Sequence, residues 1–178
     1  KDIITDKCYR LKGEKLKSFP FPIDDNTLFV AHYACAEVNS MLALGLGKPK
    51  FIFDTLVEDK KLRWGFAPSQ RFGLLSSCHH YGVEATMSEQ YKESMRELIM
   101  ENKNYTASQM NWILKYCEED VINTEKLFYK LLDEHDKAGD DPERVLTQAF
   151  FHGRAMGICA QIETNGIPVN VKLYNDFN

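Results

Sequence analysis

Apolar and polar positions alternate between short unbroken apolar runs and longer helical stripes. Leu28-Phe29-Val30-Ala31 is a short apolar run that reads as a strand. A turn follows, and then a helix closed by Gly45 and Gly47 with Pro49 beyond. Phe51-Ile52-Phe53 is a second apolar run of the same kind, and another helix follows it. Thr55-x-x-Glu58 has the form of a capping box at that helix start, and Asp54 just before Thr55 reads as a helix-start cap. Arg63 to Ser69 is a loop with Gly65 and Pro68, and the next helix runs to Tyr81 and stops at Gly82. Residues 84 to 105 are polar and weakly helical.

The longest stripe comes next. Met110, Ile113, Leu114, Cys117, Val121, Phe128 and Leu131 recur at helical spacing, behind a Thr106-x-x-Gln109 capping box. Gly139 to Pro142 reads as a linker, and a helix from Val145 to about Thr164 follows it. Asn165-Gly166 then turns into a short strand, Ile167-Pro168-Val169. At the other end, residues 1 to 27 read as a strand or hairpin on Ile3-Ile4-Thr5 and Cys8-Tyr9-Arg10-Leu11, with a proline-containing loop. Strand–helix alternation predicts an α/β sheet with helices on its faces.

Composition narrows the class. A hydrophobic share of 44% over 178 residues is enough for a real core. No run is long and apolar enough for a membrane span, and no signal-like N-terminus is present. The five cysteines, Cys8, Cys35, Cys78, Cys117 and Cys159, are scattered and odd in number, and four sit in apolar or small-residue contexts typical of reduced core cysteines. Cys78-His79-His80 lacks the second ligand pair of a zinc finger. A net charge of −4 argues against wrapping duplex DNA by bulk electrostatics. Lys60, Lys61, Arg63 and Arg71, interleaved with Trp64 and Phe66, are the densest basic stretch. Cations beside aromatics suit single-stranded DNA, although an exposed loop on a solvated face is the commoner meaning.

Candidate chemistry sits on the long helix and on the first strand–helix unit. Tyr116 and Asp120 in Tyr116-Cys117-Glu118-Glu119-Asp120 are four apart, so they project from one face about 40° apart around the axis, at the edge of the apolar stripe. A half-buried carboxylate with no cationic partner in its own helix needs a cation or hydrogen bonds, and a divalent metal is one solution. Glu37 falls early in the first helix, near the carboxyl end of the strand, where open α/β sheets bind ligands. An ordinary Tyr and Asp on a solvated helix face remain the plain alternative.

Together these segments resemble the 3′→5′ exonuclease (proofreading) domain of family A DNA polymerases, in wording closer to the phage-type polymerases than to the cellular repair enzyme. Val30-Ala31-His32…Glu37 resembles the second exonuclease motif, with Glu37 in the Asp position and Tyr33 in the Asn position. Phe51 to Leu56 resembles the strand and helix start that follow. Leu74 to Gly82 resembles the family's next helix and turn, and Tyr116 to Asp120 resembles the third, tyrosine-type motif. Ile162 to Val169 resembles the entry into the polymerase region.

The resemblance implies a ribonuclease H-like mixed sheet with flanking helices, truncated at its N-terminus. It divides the chain into residues 1–143, a partial exonuclease domain, and 144–178, the start of the polymerase region. It implies a two-metal Mg²⁺ or Mn²⁺ site with Glu37 and Asp120 as ligands, metals roughly 3.5–4 Å apart, and Tyr116 orienting the attacking water. The implied substrate is a DNA 3′ end, single-stranded or frayed. The implied partner is a polymerase domain in the same chain, and the implied setting is the cytoplasm of a bacterial cell.

The family's first motif, Asp-x-Glu on the opening strand, has no counterpart before Leu28. The only Asp-x-Glu, Asp141-Pro142-Glu143, falls in the expected linker. The expectation is therefore a fragment with an incomplete site, inactive alone, unstable or exposing apolar surface. Two alternatives stay open: a catalytically decayed, exonuclease-like platform that binds DNA or supports a polymerase, and an RNA-trimming exonuclease of the ribonuclease D kind.

Overall fold

The computed structural model describes residues 1–13, 15, 18–20, 22–64, 71–101 and 104–177. The described residues form a mixed α/β structure whose centre is a parallel strand–helix–strand unit. β1 (Leu28–Ala31) leads through α1 (Ala34–Ala43) to β2 (Phe51–Asp54). The strands pair in parallel with Leu28 opposite Phe51 and Ala31 opposite Asp54, so both carboxyl ends lie on one side. α2 (Thr55–Arg63), α3 (Leu74–His80), α4 (Glu89–Glu101), α5 (Ala107–Lys137), α6 (Pro142–Asn165) and α7 (Val171–Asp176) follow. None of the described helices is long and apolar enough to cross a membrane.

Strand alternation sorts the core into two faces. Val30 and Phe53 point to one side and meet Leu127, Phe128 and Leu131 of α5 with Leu74 and Cys78 of α3. Phe53 is fully buried and packs edge-on to Phe128 at 4.9 Å between ring centroids, a burial that contributes roughly 1.5–3 kcal/mol. Phe29, Ala31 and Ile52 point to the other side and meet Ala34, Cys35 and Val38 of α1 with Met156 and Ala160 of α6.

α6 serves both faces, since its Ala149 belongs to the first cluster and its Ala160 to the second. It can do so because Gly153 lets its backbone run against β2. A Cβ on Gly153 would lie 2.0 Å from the Ile52 carbonyl oxygen. Residues 144–165, expected as the opening of a second region, thus pack into the same core as β1 and β2.

Several helix ends follow the chain's capping chemistry. Thr106 and Gln109 form the expected capping box. Asp141 caps α6 by accepting from the Glu143 amide, with Pro142 in the first turn, so the expected linker is a short turn between two helices. Other expectations need correction. The Asp54 carboxylate, not a Thr55–Glu58 box, caps α2 by accepting from the Leu56 and Val57 amides. The Thr55 hydroxyl instead donates to the Ala31 carbonyl at 3.1 Å.

Ile3–Thr5 is a turn closed by a single Asp2–Lys7 bridge rather than part of a hairpin. Ile167–Val169 is not a strand. It leads into α7, which buries no residue, and Ile167, Val169, Tyr174 and Phe177 are all exposed. The polar segment 84–105 contains a well-formed helix, α4. Of the cysteines, Cys35 and Cys78 are buried, while Cys8, Cys117 and Cys159 are exposed free thiols, fewer in the core than their neighbours implied.

Candidate active site

The carboxyl ends of β1 and β2 are held together by one side chain. Asp54, fully buried, accepts from the Tyr33 and Ala34 amides at 3.1 and 2.8 Å and from the Leu56 amide at 2.9 Å. A single carboxylate thereby satisfies amide donors at the starts of both α1 and α2, where the helix dipoles favour negative charge. Tyr33 adopts a left-handed conformation, φ 71°, to make the two-residue turn between β1 and α1. With its oxygens taken up in this way, Asp54 is a structural cap, as its position before Thr55 implied.

His32 in the same turn is also satisfied. Its Nδ1 lies 3.0 Å from the Thr55 hydroxyl and its Nε2 3.0 Å from the Phe72 carbonyl. Burial pushes its imidazole below the usual value.

This turn places Glu37 in the first turn of α1, beside the carboxyl ends of the strands. Protein mass around the carboxyl, together with the charges of Asp54 and Asp120, pushes Glu37 up to about 7. The residue as a whole is exposed, so water screens part of that push. The charge of Asp120, more than eighty positions away in sequence, is thus the least of the influences on Glu37.

The sign of the linkage follows. Glu37 holds its proton more tightly in the folded chain, so its contribution to stability is fully present below about 4.5. That contribution is lost as pH rises through about 7. Glu37→Gln, which mimics the neutral form, should therefore raise the melting temperature above that of the parent at pH 8. The difference should shrink toward zero by pH 4. Thermal melts across that range measure it, and a pH-independent difference would disprove the raised value.

On α5 the buried face passes through Tyr116, Asn123, Leu127, Phe128, Leu131 and His135. Tyr116 therefore lies inside the stripe rather than at its edge, while Val121 and Cys117 are exposed. Burial, then the charge and hydrogen bond of Asp120, raise the Tyr116 hydroxyl well above its ordinary value, so it stays protonated. Asp120 accepts from Lys92 of α4 at 2.8 Å, with the two side chains 28% and 20% exposed. The cationic partner missing from its own helix comes from the preceding one.

Sequence reasoning missed Lys92 and the device that places it. Asn123, fully buried, accepts from the Thr86 amide at 2.9 Å and docks the segment before α4 onto α5. Asn123 stands seven positions after Tyr116, on the same helix face, and that spacing was the available signal.

The densest basic stretch is largely absorbed by the fold. Arg63 is buried against Asp59, with Ser77 donating to the same carboxylate and the guanidinium 4.4 Å over the Phe72 ring. Lys61 reaches Gln148 at 2.7 Å. Trp64 is exposed, and Phe66 lies outside the described residues.

Glu37 and Asp120 are hard oxygen donors of the kind Mg²⁺ and Mn²⁺ prefer. Their chemistry fits such an ion, although among the described residues no three His, Cys, Asp or Glu side chains are grouped to hold one. No protein-family model matches the sequence, and neither a curated protein nor a solved structure matches it.

Proposed function

We propose that this chain is part of a metal-dependent 3′→5′ exonuclease of ribonuclease H-like fold within a DNA polymerase I-like protein, acting on single-stranded or frayed DNA 3′ ends. One observation carries the reading. Glu37 opens α1 beside the carboxyl ends of two parallel strands, where burial first and then the charges of Asp54 and of Asp120 on α5 raise its carboxyl. Raised carboxyls at such a position are a mark of functional sites.

A bound Mg²⁺ or Mn²⁺ pair would activate water and stabilise the leaving 3′-oxygen. The chain's own residues would do the rest. Asp120 and Glu37 would supply oxygen ligands. The protonated Tyr116 hydroxyl would position the water by hydrogen bonding, since a hydroxyl held above its ordinary value is a poor base. β1 has β2 as its one strand partner among the described residues, and such a sheet requires further strands. The exposed apolar positions of 167–177 suit packing against a polymerase region in the same chain.

A decayed platform is the second reading. The observation that favours it is Lys92, which neutralises Asp120 without a metal. An assay on the longer protein separates the readings. Stepwise shortening of 5′-labelled single-stranded DNA from its 3′ end, dependent on Mg²⁺ or Mn²⁺ and abolished by EDTA, is the expected result. Shortening of RNA alone would assign the chain to the ribonuclease D kind, and no shortening of either would leave the platform.

A further inference from the structure

We propose that Lys92 is the resident counter-cation of Asp120, and that its ammonium competes with a divalent metal for that carboxylate and so sets how readily this centre takes up a cation. The inference rests on the reading of Asp120 as a metal ligand and adds the residue that governs its loading.

Lys92 is placed for this by tertiary structure. It comes from the first turn of α4 and crosses to α5, with Nζ 2.8 Å from the Asp120 Oδ1 and 6.0 Å from the Tyr116 ring centroid. Its side chain is mostly covered, 20% exposed, and its positive charge also acts on His32 in the β1–α1 turn and on Cys78 of α3. The charges of Asp54 and Asp120 both act on Glu37, and a cation on Asp120 offsets part of that negative charge.

Arg96, one turn further along α4, acts on Tyr116 but has Glu93 3.7 Å away. Asp54 is taken up by amide donors. The Lys92 ammonium is therefore the cation held directly on Asp120. A metal ion arriving at Asp120 meets a unit positive charge a few ångströms away, in a pair that is mostly shielded from solvent. Either the lysine moves aside or the metal is repelled.

Manganese titration of the full chain, read by loss of the free Mn²⁺ paramagnetic resonance signal, tests this without reference to nuclease activity. Lys92→Gln should tighten Mn²⁺ binding by about tenfold or more. Lys92→Arg, which keeps the charge, should stay at the parental affinity. Adding Asp120→Asn to Lys92→Gln should remove the gain. Unchanged or weaker binding by Lys92→Gln overturns the inference, and the metal-ligand reading still stands if Asp120→Asn alone lowers binding. A gain that survives Asp120→Asn also overturns it, because the ion then sits elsewhere. No binding by any variant overturns both the inference and the metal-ligand reading. Tightened binding in a protein that degrades no nucleic acid upholds the inference and removes the nuclease reading.

Discussion

Gly153→Ala should destabilise the chain by about 3 kcal/mol or more, through overpacking at a site with no room to give. The new Cβ would lie 2.0 Å from the Ile52 carbonyl oxygen, 2.7 Å from its carbon and 2.8 Å from its Cβ. Two of those three atoms are backbone in a paired strand, so no side-chain rotation relieves the clash. Helix propensity opposes the loss, because alanine is favoured over glycine in a helix interior by about 1 kcal/mol. The clash outweighs it.

Gly157→Ala is the control. Its Cβ would meet only the Ile52 Cδ1, at 3.5 Å, an ordinary contact. There the propensity gain should survive, and the variant should melt at or slightly above the parent. For a chain of this size the Gly153 change should lower the melting temperature by roughly 6–12 °C. A melting temperature within 2 °C of the parent would mean that α6 does not lie on Ile52.

The effect should reach the candidate site. Ile52 stands two residues before Asp54 in β2, and Asp54 holds the first amides of α1 and α2. Displacing β2 from behind moves the carboxylate that orients the turn carrying Glu37. The site is therefore built from its back as well as its front: small residues on α6 allow the strand to sit where its terminal aspartate can join two helices.

Local chemistry was legible in the sequence, and partnerships across the fold were not. The two strands, the helix closed by Gly45, the Thr106–Gln109 box and the Asp54 cap follow from short-range rules that need only a few neighbouring residues. The Tyr116–Asp120 pair was visible because helical spacing alone puts both on one face. Its burial was misjudged. Val121 and Cys117 look like core residues, yet Tyr116 and Asn123 are the ones turned inward, where the Thr86 amide donates to the Asn123 side-chain oxygen.

Lys92 was hidden for the same reason. A lysine in a polar helix carries no sign of a carboxylate 28 positions away. The helix from Val145 was foreseen, but not that Gly153 would bring it against Ile52, since glycine in a helix reads as a weak point until its neighbour is known. Ile167–Val169 has strand-like composition but no partner strand among the described residues, and composition alone does not make a ladder.

On the proposed exonuclease reading, Asp120→Ala should lower nuclease activity by about 10³-fold or more. The size follows from what a metal-ligand carboxylate supplies, several kcal/mol of transition-state stabilisation at about 1.4 kcal/mol per decade. The fold should tolerate the change. Asp120 and Lys92 are both partly exposed, so their ion pair contributes on the order of 1 kcal/mol or less. Tyr116 keeps its packing within the buried face of α5 when its hydroxyl loses Asp120.

Tyr116→Phe should reduce activity by a smaller factor, because a residue that positions water leaves the ligands in place when removed. The order of the two effects carries the argument. A larger loss for Tyr116→Phe than for Asp120→Ala would make the hydroxyl, not the carboxylate, the centre of the chemistry. An Asp120→Ala protein that shortened single-stranded DNA at the parental rate would remove α5 from the active site altogether. Of the carboxylates near the strand ends, Asp54 would then keep the structural role it already fills.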